Sequence, residues 1–324
     1  MSLRVGIVGW GLAGRIHAKH LSAHGARLVG VVSRRPSGLA VPWFHSLDDL
    51  LPRVDAITIA TPNDLHAGMA LKVVRAGKAV MVEKPLCITR DELRQLELVL
   101  PSADAPVHLG YRLRFNDEIR RLRRPGDDMT VPRRVHCSYQ LGIDRLAAGK
   151  SWIRDPVRSG GAYFVLGVHC HDLVRWLCRA RGRALSSLAM ADSVQRPSHR
   201  LRRRADWVLT GLAVPDSVQG DYPLQVSLMG RVGETEVGIS VDMRGNADYR
   251  LQIALEWPDE DEPRSVVLSG ERPGVREEAE YSGLVGNFVQ AAEQGLVDPV
   301  AIAEILQTHR ELLDAREKHD IQSG

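Results

Sequence analysis

The apolar run Leu3-Arg4-Val5-Gly6-Ile7-Val8 passes without a break into Gly9-Trp10-Gly11-Leu12-Ala13-Gly14. Such a run reads as a buried strand, and glycines spaced GxGxxG take the chain through a tight turn straight into a helix. Gly9 makes the turn, Gly11 leaves the backbone bare for an anionic group, and Gly14 lets helix and strand pack closely. The strand must then be interior and the helix must cross over it, which restricts the topologies open to the chain.

The rhythm continues through the first third. Strands are expected at 26–33, 55–60, 78–83 and 105–111, with helices at 65–77 and 89–100 between them. Continuous apolar strands alternating with helices indicate a parallel sheet covered on both faces, with a ligand crevice at the carboxyl ends of the strands. Beyond about residue 125 the pattern changes. Strand-like runs at 133–142, 205–214, 224–230, 235–243, 249–257 and 264–269 follow one another mostly without helices, which suggests an antiparallel sheet. Helices at 284–295 and 299–318 close the chain, the second with Asp298 as N-cap and Pro299 in its first turn. The expected fold class is α/β. A doubly wound, Rossmann-type parallel sheet over 1–120 is followed by an α+β domain on a large, mostly antiparallel open sheet over 121–324.

A length of 324 residues suits two domains. A formal charge of +3 does not point to nucleic acid or to an anionic membrane, and no apolar stretch approaches the ~18 residues of a membrane span. The basic run His199–Arg204 reads as a solvated loop. The N-terminus enters a strand with no signal peptide in view, and Cys87, Cys137, Cys170 and Cys178 form no CxxC pair. A reduced, cytoplasmic setting is expected.

A glycine cradle of this kind holds the pyrophosphate of a dinucleotide. The second strand ends in Ser33-Arg34-Arg35, where a carboxylate would otherwise accept from both adenine-ribose hydroxyls. Arginine there suits a 2′-phosphate, so NADP(H) is favoured over NAD(H). His17, His20 and His24 recur at i, i+3, i+7, but no carboxylate or cysteine completes a ligand set. They are expected on an exposed helix face, with no metal. The fourth strand ends in Glu83-Lys84-Pro85, which points Lys84 into the crevice where a nicotinamide would lie and makes Lys84–Pro85 a candidate cis bond.

The segment GGAYFVLGVHCHDL, residues 160–173, sets two imidazoles and a carboxylate in an apolar run. On a helix His169 and Asp172 share a face, whereas His171 lies about 200° from His169 and is expected at the rim or in packing. That separation argues against zinc binding by the HxH, and Cys170 reads as a small buried filler.

GWGLAG, TPNDLH (61–66), AGKAVMVEKPL (76–86), RLRFN (112–116), WIRDP (152–156) and SGGAYFVLGVHCHDL (159–173) occur in an order and spacing that resemble the glucose–fructose oxidoreductase / inositol dehydrogenase / MocA (Gfo/Idh/MocA) family. The resemblance spans nearly the whole chain. It implies a nicotinamide-dependent oxidoreductase acting on a sugar or cyclitol hydroxyl, or on the corresponding ketone. It also implies a homodimer or homotetramer paired through the second-domain sheet. By position it assigns cofactor binding to the glycine turn (Gly9, Trp10, Gly11, Leu12, Ala13, Gly14), to Ser33, Arg34 and Arg35, to Thr61, Pro62, Asn63 and His66, and to Glu83, Lys84 and Pro85. Lys84 would contact substrate and nicotinamide, His169 would be the acid/base and Asp172 a substrate-binding carboxylate. Arg114 and Trp152 would line the substrate.

One position departs from the family pattern. Val165 stands where typical members carry an aspartate four residues before the histidine. Without that carboxylate the imidazole is a weaker base and a readier donor, which shifts the expectation toward reduction. Three other readings stay open: reduction of an imine or conjugated C=C bond, a cofactor-binding sensor or scaffold without turnover, and redox-neutral chemistry through transient oxidation.

Overall fold

The computed structural model describes residues 2–34, 41–123, 130–178, 208–209, 225–232, 235–270 and 275–323. They divide into two compact units: unit 1 is Met1–Phe115 with Val275–Arg310, and unit 2 is Asn116–Gly274 with Glu311–Gly324.

Unit 1 is built on β1 (Arg4–Val8), β2 (Arg27–Val32), β3 (Trp43–Phe44), β4 (Ala56–Ile59), β5 (Ala79–Val82) and β6 (Val107–Leu109). All pair in parallel, in the order β3-β2-β1-β4-β5-β6. The order reverses between β1 and β4, which is where a doubly wound sheet opens its crevice. Helices α1 (Leu12–Ala23), α2 (His66–Arg75) and α3 (Arg90–Val99) cross between strands. Thr89 caps α3 in a capping box with Glu92. The five strands expected here are present. β3 is an addition, and two residues are too few to show a period.

The core of unit 1 gathers Val5, Ile7, Leu21, Val31 and Met81 with Tyr281, Leu284, Val285, Phe288 and Val289. The last five lie on α5 (Val275–Gln294), which packs along α1. Glycines allow the approach: a Cβ on Gly286 would lie 2.6 Å from His24 Cε1, and one on Gly283 would lie 2.7 Å from Phe115 Cδ1. His17 and His20 are therefore not on an exposed face, whereas His24, just past the end of α1, is exposed as expected. His17 and His20 are buried in this seam, and His24 Nε2 lies 3.1 Å from Ser282 Oγ. Their spacing is that of a helix stripe, and Val275–Gln294 covers its first two members. The same packing sets Val275–Gln294 apart from the 121–324 block in which chain order had placed it.

Unit 2 is built on β7 (Arg134–Gln140), β8 (Val208–Leu209), β9 (Gln225–Val232), β10 (Thr235–Asp242), β11 (Tyr249–Glu256) and β12 (Arg264–Gly270), in the order β12-β11-β7-β10-β9-β8. Every pair is antiparallel except β7 with β10. Of the strand expected at 205–214, Val208–Leu209 is described and the remainder lies outside the described residues, as does the basic run at 199–204. One face buries Val135, Cys137, Tyr139, Val237, Ile239 and Val241, on which helix α4 (Val168–Leu177) rests. The last helix, Pro299–Ser323, starts as expected: Asp298 Oδ1 accepts from the Val300 and Ala301 amides, each at 2.9 Å. Its residues belong to unit 1 up to Arg310 and to unit 2 from Glu311.

His108 on β6 meets Phe288 of α5 edge-on, ring centroids 5.6 Å apart. Burial pushes its imidazole down to about 4 against the opposing pull of Asp298. The unfolded chain takes up this proton near ~6.5 and the native chain does not, so folding stability falls as pH drops from there to about 4. The slope due to this group is at most about 1.4 kcal/mol per pH unit. Urea unfolding of His108→Leu across that range is expected to show a flatter pH dependence than the parent.

Candidate active site

The expected cofactor residues of unit 1 follow the carboxyl ends of neighbouring parallel strands. Gly9–Gly14 follow β1, Ser33 and Arg34 follow β2, Thr61–His66 follow β4, and Glu83–Pro85 follow β5. Backbone bonds sew these ends together: Gly9 N donates to Val32 O at 2.8 Å, Ala60 N to Val8 O at 2.7 Å and Glu83 N to Ile59 O at 2.8 Å.

The three cradle glycines do different work. Gly9 has φ +99°, and a Cβ there would lie 2.3 Å from Ala60 O. A Cβ on Gly14 would lie 2.0 Å from Gly9 O. On Gly11 a Cβ would meet nothing within 4 Å. Gly11 therefore faces open space at the N-terminus of α1, whose first amides have no partner within the helix. No acidic residue stands in that first turn, and Leu12 is 59% exposed beside it. A helix start with no acidic side chain and with room above it fits a dinucleotide pyrophosphate. After β2, Trp43 Nε1 donates to Ser33 O at 2.7 Å and Arg34 is exposed. Arg35 lies outside the described residues.

Glu83 turns inward: its Oε1 lies 3.0 Å from Nε2 of the buried His17. Burial pushes the Glu83 carboxyl up, but the hydrogen bond with His17 and the charges of His17 and Lys84 outweigh it and hold it below the usual carboxylate range. Lys84 is half-buried, and the Lys84–Pro85 bond is cis. His66 is buried, with Nδ1 2.6 Å from Pro85 O and Nε2 2.8 Å from Thr61 O. Burial keeps its pKa below the ordinary value against the pull of both carbonyls. One ring proton then serves one carbonyl, and the shorter contact is to Pro85. His66 thus ties the end of β4 to the lysine turn.

After β6, the guanidinium of Arg114 lies over the Tyr111 ring at 5.2 Å and is partly exposed. Its neighbour Arg112 is instead buried, paired with Glu277 and Glu280 and set over the Tyr281 ring.

In unit 2, Trp152 sits half-buried in the 3₁₀ turn Ser151–Arg154. Gly160 and Gly161, both with positive φ, lead into a π-helical turn over Tyr163–Gly167, which runs directly into α-helix Val168–Leu177. His169 and Asp172 lie in the first turns of that helix, 5% and 2% exposed, and the His169 ring is 6.0 Å from that of Tyr139. Val165 falls inside the π turn, so it does not stand one α-helical turn from His169. His171 goes to packing: its Nε2 lies 3.0 Å from Glu311 Oε2, and Arg175 Nη1 donates to Glu311 Oε1 at 2.7 Å. Burial pushes the Cys170 thiol well up, as suits an inert filler. Among the described residues no group of three or more His, Cys, Asp or Glu is placed to hold a metal ion.

Sequence reasoning missed His309, the acceptor for the Leu86 amide at 2.8 Å. The available signal was its place on the apolar stripe Ile305, His309, Leu312, where a polar side chain needs a reason.

A doubly wound sheet with an open glycine cradle at its switch point defines a dinucleotide-binding domain. Residues 3–111 match the model of an oxidoreductase family with an NAD-binding Rossmann fold, GFO_IDH_MocA. Inositol 2-dehydrogenase of Rhizobium meliloti (strain 1021) is 29% identical over 187 residues, which is 55% of this chain and 55% of that protein. Inositol 2-dehydrogenase 1 of Saccharopolyspora erythraea is 29% identical over 261 residues, 74% of this chain and 75% of that protein. The crystal structure of myo-inositol 2-dehydrogenase from Lactobacillus plantarum superposes with a TM-score of 0.79 at 16% identity, covering 99% of this chain and 98% of that one, and so shares the fold. Residues 3–111 are thus similar to the NAD-binding domain of the Gfo/Idh/MocA oxidoreductases, the family that the motif order resembled.

The cradle geometry separates folding from binding. Gly14→Ala should destabilise the protein by about 3 kcal/mol or more, because the added carbon meets backbone that cannot move aside. Gly11→Ala should cost under about 1 kcal/mol. Thermal and urea unfolding of the two variants would check the contrast.

Proposed function

We propose that the protein interconverts a hydroxyl and a carbonyl on a small polyhydroxylated ring, of the sugar or cyclitol type, with NADP(H), and works in the reductive direction. The observation that carries this reading is the open cradle at Gly11 with the Lys84 turn on the same carboxyl edge of the unit 1 sheet. The substrate class comes from relatives that are inositol dehydrogenases.

A bound nicotinamide would supply the hydride. Gly11, Leu12 and Ala13 would hold its pyrophosphate with backbone amides, Thr61–Asn63 and Glu83–Pro85 would line it, and Arg34 with Arg35 would meet the 2′-phosphate. The Lys84 amine would hydrogen-bond the reacting oxygen, and Asp172, with Arg114 and Trp152, would hold the remaining hydroxyls. The His169 imidazole would place a proton on the carbonyl oxygen during reduction and remove it during oxidation. The reductive direction rests on the sequence alone, in which Val165 stands where typical members carry an aspartate. The protein would act in the cytoplasm as a homodimer or homotetramer. In support, the four cysteines form no disulfide, no described helix is long and apolar enough to cross a membrane, and among the described residues the second sheet leaves Arg134 and His136 exposed.

Nicotinamide absorbance with a panel of keto-cyclitols and keto-sugars, run with NADPH and with NADH, tests substrate and cofactor together. Turnover that Lys84→Met lowers on the order of 10³-fold is expected. No turnover with any member, despite tight dinucleotide binding, would favour the sensor reading instead. Val165→Asp is expected to raise oxidative turnover relative to reductive turnover. An unchanged ratio would remove the basis for a reductive preference.

A further inference from the structure

The turn that carries Lys84 is held at a single peptide unit, Pro85–Leu86. Its carbonyl meets His66 Nδ1 at 2.6 Å, and its amide donates to His309 Nε2 at 2.8 Å. Proline has no N–H, so the Leu86 amide is the first backbone donor after Lys84. Leu86 is 1% exposed and His309 0%, so water is no substitute for either group.

An amide can only donate, which leaves Nε2 of His309 as the acceptor and puts the ring proton on Nδ1. Nδ1 lies 2.7 Å from Ile305 O, one turn back on the same helix, and that carbonyl takes the proton. One neutral tautomer satisfies both contacts. Nearby, Arg310 of the same helix donates to Glu97 Oε1 of α3 at 2.5 Å, so the helix segment is itself anchored within unit 1.

We propose that His309 is a positioning residue for Lys84. By accepting from the Leu86 amide it sets the plane of the Pro85–Leu86 peptide, and with it the direction in which the Lys84 side chain leaves the turn. The consequence for turnover rests on the reading of Lys84 given above. His309 acts only through the backbone two residues further on.

Two variants separate its two ring nitrogens. In His309→Gln the side-chain oxygen reaches the place of Nε2 and can accept from Leu86. In His309→Asn the amide reaches only the place of Nδ1, so the Ile305 contact survives and the Leu86 amide loses its acceptor. In His309→Asn, hydrogen exchange at the Leu86 amide should accelerate about tenfold or more. Its kcat should fall on the order of 10- to 100-fold, while NADPH affinity, read by protein fluorescence, stays close to the parent value. His309→Gln should recover slow exchange and most of kcat. Equal kcat losses in both variants, or slow Leu86 exchange in His309→Asn, would overturn the proposal. If the unmodified protein turns over no member of the panel, the functional reading fails, and acylation of the Lys84 amine, followed by mass spectrometry, takes the place of kcat. A Lys84 acylation rate altered in His309→Asn and restored in His309→Gln then supports positioning. The same rate in all three proteins refutes it.

Discussion

At Gly14 the first helix passes so near the first strand that a single added carbon would lie 2.0 Å from the Gly9 carbonyl oxygen. That contact sets where α1 begins and how it crosses the sheet. Because α1 is so placed, its His17 reaches Glu83 at the end of β5, and its far end receives the glycine-containing face of α5. The cradle and the lysine turn are thus two ends of one packing arrangement. A site needs supporting contacts of this kind if its side chains are to hold a productive geometry.

The lysine turn depends on imidazoles to an unusual degree. His17 holds Glu83, His66 donates to Pro85, and His309 receives Leu86, all with little or no exposure. Each supplies a hydrogen-bond partner to a backbone or carboxylate group with little access to water. Imidazole suits this work because it can present a donor and an acceptor about a rigid ring. In unit 2, His171 likewise takes part in packing, beside Glu311 and Arg175, and leaves His169 and Asp172 as the chemically interesting pair.

Much of this was legible from the chain. The glycine turn, the alternation of strands and helices, and the Asp298 cap are local patterns, so spacing alone reveals them. The order of the motifs likewise carried the resemblance that the family model matches over residues 3–111. Three features were not legible, and each depends on a distant partner. His17 and His20 read as exposed because nothing in their own segment announces Tyr281 or Glu278. The apolar face of Val275–Gln294 requires burial but does not say against which sheet. His309 and Leu86 lie 223 residues apart, a pairing that only the folded backbone specifies. Val165 illustrates a further limit. Counting four residues assumes an α-helix, and the backbone there winds as π.

The partition of the chain has a consequence for its birth. Unit 1 cannot close until Val275–Arg310 is available, yet residues 116–274 are translated in between. At ordinary elongation rates that interval is roughly 8–30 s. Throughout it, Leu3, Leu21, Val31 and Met81 lack the cover that Leu284, Val285 and Phe288 later provide. The nascent protein therefore exposes a greasy flank during its own manufacture, until Val275–Arg310 emerges to cover it.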